Sequence, residues 1–347
     1  MTNPPPPQDR SYRWPAEWEP HAATWLSWPH NRNSWPGRFG RVEPVYARMV
    51  RVLATSEPVH INVTDAAMER RARHYLSLAG ADGEITFHYI PTNDAWCRDH
   101  GAVILKEEGP GTGDRLALDF RFNAWGGKYP YDLDDAVAPQ MAETLGIPSK
   151  SADFVLEGGA IDGNGQGTLL TTEACLLNSN RNPQLSKQDI EERFRLDLGV
   201  EQIIWLGDGI AGDDTDGHID DITRFVSEDT VVSMVEPNTA DENHRPLADN
   251  IERLRDVRLT DGRKLRILEL PSPPPLVYQN QRVPASYANF YIANSVVLMP
   301  GYHPSTDLLA AEVLASCFPK RDVVTIDCRD LIWGLGAFHC LTQQIPR

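Results

Sequence analysis

The chain has 347 residues, 41% of them hydrophobic, enough for one large domain or two with a substantial core. Its 49 acids against 33 bases leave a formal net charge of −16, which disfavours nucleic acid and anionic membranes as partners and is compatible with a small cationic substrate. No apolar run approaches the roughly 18 residues of a spanning helix. The five cysteines, Cys97, Cys175, Cys317, Cys328 and Cys340, are odd in number and never form a CxxC pair. That points to reduced thiols in a cytoplasmic protein and away from a disulfide framework or a zinc ribbon.

The start, with a proline run at residues 4–7, lacks the charged-then-apolar pattern of a signal peptide and is expected to be a disordered lead-in over residues 1–12. Residues 13–347 are expected to form a single domain. Four of the nine tryptophans fall between Trp14 and Trp28, which predicts an irregular segment pinned by aromatic burial. The alternative is that one or two of these rings line a pocket. Val45, Met49, Val50 and Leu53 recur at helical spacing within a helix expected from Glu43 to about Ser56. Residues 58–63 predict a strand, with Asp65 placed to cap a following helix. Another strand, Glu84 to Ile90, runs directly into Asn93-Asp-Ala-Trp-Cys-Arg-Asp, where Arg98 and Asp99 are either a structural ion pair or part of a site.

A strand over 116–120, a loop at 125–129, a helix over 133–145 and a strand over 153–156 follow. Glu157 then stands beside two permissive glycines. Asp162 and Glu173 fall at positions 1 and 12 of a calcium loop, but Gln166 at position 5 and strand-like flanks favour a hairpin with a glycine-rich turn. Beyond a helix over 187–196 and a strand over 201–205, six aspartates and His218 crowd into fourteen residues, 208–221. The two candidates for this cluster are a divalent-metal site and a paired acid–base site. On a strand, His218 and Asp220 would share one face, and a neighbouring carboxylate would favour the protonated imidazole, as a general acid requires. Strands over 231–234 and 265–270, a helix over 250–257, a strand reaching Met299, a helix over 308–317 and a strand over 322–326 complete the order. The chain ends in Gly334-Leu-Gly-Ala-Phe-His-Cys-Leu-Thr-Gln-Gln-Ile-Pro. Cys340 is there either a buried structural cysteine or a nucleophile.

Several segments in sequence order resemble the agmatine deiminase branch of the guanidine-modifying enzymes, the pentein superfamily. They are Pro15-Ala-Glu-Trp-Glu-Pro-His, Asn93-Asp-Ala-Trp-Cys-Arg-Asp, Leu156-Glu-Gly-Gly with Thr171-Thr-Glu, Asp214-Thr-Asp-Gly-His-Ile-Asp and His339-Cys-Leu-Thr-Gln-Gln. Arg181-Asn-Pro and Ala285-Ser-Tyr-Ala-Asn-Phe-Tyr-Ile-Ala-Asn are similar to the family as well. The resemblance spans about Arg13 to Pro346 and implies an α/β fold, a five-bladed propeller of three-stranded sheets plus helices around a central channel. Asp99, Glu157, His218, Tyr287 and Cys340 follow one another at intervals of 58, 61, 69 and 53 residues by subtraction of their numbers, in keeping with one site segment per blade.

The resemblance also implies a chemistry that the residue types can perform. Asp99 and Asp220 would grip the planar guanidinium, Cys340 would attack its carbon, and His218 would protonate the departing ammonia and then activate water. Glu157 would orient His218 or touch the guanidinium. Trp96 is expected against the four-carbon linker of agmatine and Asp214 against its amine. Arg98 is expected to be structural. His339 is set aside as the base because adjacent residues on an extended backbone face opposite ways. No cofactor and no metal are implied. The partners expected are a small cationic guanidine and further copies of the chain, as a homodimer or higher homo-oligomer. The family usually carries more glycine before His-Cys than Leu335, Ala337 and Phe338 allow, which would narrow the pocket mouth or alter specificity. The competing readings are a deiminase of free, methylated or peptidyl arginine, and a non-catalytic binding propeller. A metallohydrolase built on the aspartate cluster competes more weakly.

Overall fold

One unit of chain recurs five times in the computed structural model, which describes residues 12–108 and 114–347. A first strand pairs antiparallel with a second, a helix follows, and a third strand returns parallel to the second. In the first unit, Val103–Glu107 and Arg115–Arg121 are antiparallel, and Ser149–Val155 returns parallel after the helix Val137–Leu145. The second unit uses Asp162–Gly163, Thr168–Thr172, the helix Lys187–Leu198 and Gln202–Leu206. The third uses Thr223–Ser227, Thr230–Val235, the helix His244–Arg255 and Arg266–Pro271. The fourth uses Tyr291–Ile292, Val296–Gly301, the helix Pro304–Cys317 and Asp322–Asp327.

The fifth unit joins the two ends of the chain. Thr342–Pro346 lies antiparallel to His21–Ser27, and after the helix Phe39–Ala54 the strand Val59–Asn62 runs parallel to it. The helix Ala66–Ala79 and the strand Ile85–His88 extend this sheet by one parallel strand. The expected lead-in lies, apart from Tyr12, outside the described residues.

Local rules account for most elements. Asp65 accepts hydrogen bonds from the amides of Ala67 and Met68, and Gly80 ends the same helix at φ 71°, in the left-handed region that glycine tolerates. The hairpin expectation for 162–173 holds, since Asp162 faces Leu170 across an antiparallel pair. Asp162 spends its carboxylate on Arg224 and the Phe225 amide, and Glu173 pairs with Lys187 and Arg253. Val296–Gly301 is buried at every position because it is the central strand of its sheet and the helices Phe39–Ala54 and Pro304–Cys317 pack against it.

Several expectations need correction. His21–Ser27 is a regular strand, and Trp25 and Trp28 are fully buried in the core rather than at a pocket. The strand expected to reach Met299 is Val296–Gly301, with the two-residue strand Tyr291–Ile292 antiparallel to it. His218 and Asp220 do not lie on a strand. His218 precedes a single 3-10 turn, Ile219–Asp221.

Among the described residues, no helix is long and apolar enough to cross a membrane.

Candidate active site

Each repeating unit is preceded by a short irregular turn, and these turns carry the chemistry. Cys97–His100 comes before the first unit, Gly158–Ala160 before the second, Ile219–Asp221 before the third and Phe338–Leu341 before the fifth. In the fourth, Asn289 stands two residues ahead of Tyr291–Ile292. The turns meet through specific bonds. The amide of Gly159 donates to Asp99 Oδ1 at 2.9 Å, and His218 Nδ1 lies 3.8 Å from the same oxygen. His339 Nδ1 is 2.7 Å from Asp220 Oδ2, and the Cys340 thiol points to that oxygen at 3.7 Å. Asn289 Nδ2 reaches Cys340 Sγ at 3.0 Å and Asp221 Oδ1 at 3.1 Å.

Gly159 makes the convergence possible. A Cβ there would stand 2.6 Å from His218 Nδ1, 2.9 Å from Asp99 Oδ1 and 3.1 Å from Asp220 Oδ2. No side chain fits between three charged groups that close. Gly336 does the same on the other side of the cysteine, where a Cβ would come within 2.5 Å of the Trp96 ring.

A cavity of about 260 Å³ opens onto Cys340. Asp99, Trp96, Trp125 and Trp333 wall it near the sulfur, Leu335 lies in the approach to Cys340, and Asp94 and Asp214 add acidity. His218, Glu157 and Asp220 are fully buried and do not wall it.

The electrostatics of this cluster are uneven. Burial, then the charges of Asp220, Asp221 and Asp99, push the Cys340 thiol well above its ordinary range. Burial alone would push His218 down, but Asp99, Cys175 and Glu157 outweigh it and hold its imidazole well above its ordinary value. Asp99 is raised by burial, reinforced by Asp220 and Glu157 against the pull of His218 and Trp125. Asp220 is lowered despite burial, because His339 bonds it and His218 and Arg224 lie close. Arg181 holds Glu157 Oε1 at 2.5 Å and Asp216 Oδ2 at 2.6 Å, which leaves Glu157 Oε2 buried without a hydrogen-bond partner.

Ligand atoms of Glu157, Cys175 and His218 lie within 4.8 Å of one another. The Arg181 guanidinium on Glu157 puts a positive charge beside any cation placed there.

Residues 13–346 match the family of Porphyromonas-type peptidyl-arginine deiminases. The chain belongs to this family. A Vibrio parahaemolyticus protein provisionally named agmatine deiminase is 36% identical over 98% of both chains. Two solved structures are similar along the whole chain. One is a cysteine-to-serine variant of agmatine deiminase from C. jejuni with substrate bound, 32% identical, TM-score 0.88, covering 98% of each chain. The other is the agmatine deiminase of Enterococcus faecalis, 32% identical, TM-score 0.91, covering 100% of this chain and 98% of that one. The mixed α/β fold of the chain is therefore that of the agmatine deiminase structures.

The structure brings most of the residues singled out in the sequence together. Cys340, Asp99, Asp220, His218 and Glu157 form one cluster, and Trp96 and Asp214 reach the cavity beside it. Arg98 sits in a buried network with Glu17 and Gln344. Asp214 is already engaged, with Tyr129 donating to Oδ2 at 2.7 Å and Lys128 3.6 Å from Oδ1.

Tyr287 is not the fourth contributor. Its hydroxyl bonds Asp307 and Thr306, and Asn289 takes its place at the sulfur. The argument against His339 also fails, since residues 338–341 form a helical turn rather than an extended stretch. His339 is nonetheless committed elsewhere, with its two ring nitrogens on Asp220 and Glu17. Sequence reading passed over Asn289, Trp125, Arg181 and Cys175 as site groups. The only available signals were Arg181-Asn-Pro and Ala-Asn-Phe-Tyr, which carry no chemistry on their face. Of the residues replacing glycine before His-Cys, only Leu335 reaches the cavity, and Ala337 and Phe338 are core.

Proposed function

We propose that this chain is an agmatine deiminase that hydrolyses agmatine to N-carbamoylputrescine and ammonia through a covalent amidino-cysteine. The observation that carries this is Cys340, a thiol opening onto a cavity while three carboxylates hold its proton in place. Such a thiol ionises when a cation arrives beside it, and a guanidinium is a flat cation of the right kind.

Asp99, on the cavity wall, and Asp220, beside the sulfur, orient that plane. As the cation binds, the Cys340 thiol gives up its proton to solvent, and the thiolate attacks the guanidinium carbon to give a tetrahedral adduct. His218, held protonated by its neighbours, gives its proton to the departing nitrogen, which leaves as ammonia. The cationic amidino-thioether remains. Neutral His218 then takes a proton from water, and the hydroxide adds to the same carbon. Collapse expels Cys340 as thiolate and leaves a protonated urea that loses its proton. Glu157 orients His218 rather than the substrate, because one of its oxygens lies within 4.8 Å of a His218 ring nitrogen and the residue does not line the cavity. The Trp96 ring packs against the four-carbon linker, and the amine lies in the acidic part of the cavity that Asp214 and Asp94 reach.

The five repeats form the blades of a closed propeller in this reading, one catalytic unit over residues 13–347. The contacts between the five turns support it, as does the pairing of the two chain ends. The enzyme needs no cofactor and works in the cytoplasm, in keeping with five free cysteines.

The test is ammonia release from agmatine, free arginine and a peptidyl arginine, with mass spectrometry of quenched turnover. Agmatine is expected to be the best substrate and to leave an amidino adduct on Cys340. No ammonia from agmatine, or turnover by Cys340→Ala, overturns the proposal.

A further inference from the structure

Resting on that reading, we propose that Asn289 is a catalytic residue of this site, the neutral donor that holds Cys340 Sγ in line and stabilises its anion. Asn289 is fully buried and clamped at three points. Its Oδ1 accepts from the backbone amides of His339 at 3.0 Å and Cys340 at 3.4 Å, and its backbone carbonyl accepts from His339 at 3.2 Å. The amide is fixed in one orientation by these bonds, with the –NH₂ turned away from the cysteine's own backbone. That group has two hydrogens and two partners, Cys340 Sγ at 3.0 Å and Asp221 Oδ1 at 3.1 Å.

The surroundings explain why such a donor is needed. The ionisable groups that face the sulfur are acids: Asp99 from the first unit's turn, and Asp220 and Asp221 from the third's. All three oppose the thiolate, and His339 on the cysteine's own turn points to Asp220 and Glu17. Asn289 is the one side chain seen to donate a hydrogen bond to Sγ among the described residues. A neutral amide offers a hydrogen to the anion without adding a charge that would form an ion pair with the carboxylates or repel a cationic substrate, as a lysine or arginine in its place would. Asp221 faces the other hydrogen and keeps it from the sulfur, so the amide cannot rotate freely.

The experiment separates donation from packing with one isosteric variant and one smaller one. Asn289→Asp keeps the oxygen that receives the His339 and Cys340 amides and removes the donor. Asn289→Ser keeps a small polar group and removes both. Alkylation of Cys340 by iodoacetamide is followed against pH in the free enzyme, beside kcat and KM for agmatine. The alkylation midpoint is expected to move up by about one pH unit or more in both variants. Their kcat should fall about 10²-fold with little change in KM, and Asn289→Asp should be the worse of the two.

A merely structural asparagine predicts the reverse order, with Asn289→Asp nearly normal. An alkylation profile unmoved in either folded variant overturns the proposal. The alkylation arm uses no substrate. If wild type fails on agmatine while the midpoint still shifts, the substrate assignment falls and the role of Asn289 stands.

Discussion

Asp220 is held by His339 on one oxygen and leaves the other buried without a partner. A buried unpaired carboxylate oxygen is costly unless something arrives to use it. Here that oxygen belongs to the group proposed to grip the guanidinium. Asp220→Asn keeps an acceptor for His339 and removes the charge. It should lower kcat by about 10³-fold, equal to about 4 kcal/mol of barrier, while unfolding free energy changes by less than about 2 kcal/mol. Steady-state kinetics beside denaturant titration decide it, and comparable losses in both would make Asp220 a structural group. At this scale the sequence was legible where a residue type announces its chemistry. Cys340, His218 and the aspartates stood out by type and by neighbourhood. Asn289 did not, because an asparagine's role depends on which groups fix its amide, and those come from turns 50 and 68 residues away.

The element that matters is the turn before each first strand. Its position explains both the rhythm in the sequence and the one misplaced beat. Most second strands and helices were readable from periodicity, His21–Ser27 excepted, whereas first strands such as Thr223–Ser227 were missed. That strand buries Arg224 among acids, so its polarity pattern reads as a loop. The turn leading to Cys340 carries a conformational cost of its own. Leu335 sits at φ 71°, in the left-handed region, where a branched side chain costs roughly 1–2 kcal/mol. Leu335→Gly relieves that cost but adds about 0.5–1 kcal/mol of unfolded-chain entropy. Stability is expected to stay within about 1 kcal/mol of wild type, while KM for agmatine rises because part of the cavity wall is gone. Thermal unfolding and steady-state kinetics on one preparation test this. A loss of several kcal/mol would show that Leu335 serves packing rather than the cavity.

For the whole molecule, the cohesion of the five repeats rests on two buried side chains near its middle. Glu17 accepts from the Ile292 amide at 2.8 Å on one oxygen, which also lies 3.1 Å from the Arg224 guanidinium as an ion pair without a hydrogen bond, and the other oxygen meets Arg98 at 3.1 Å and His339 at 2.9 Å. Arg224 extends the network to Asp162 at 2.7 Å. Together they touch residues from all five units, and both lie in stretches with no evident catalytic role. Burial alone would raise the Glu17 carboxyl, but Arg224, His339 and Arg98 outweigh it and hold it well below its ordinary value of 4.5. A folded-state value below the unfolded one gives stability that is full above pH 4.5 and is lost as pH falls toward the folded value. Glu17→Gln leaves Arg98 without its anion and Arg224 with Asp162 alone. It should cost about 3–5 kcal/mol at neutral pH, the usual penalty for breaking a buried pair from one side. The variant should also lose less further stability than wild type between pH 4.5 and 3. Denaturant unfolding at a series of pH values measures both. Parallel acid limbs in the two proteins would mean that Glu17 is not the charge tying the repeats together.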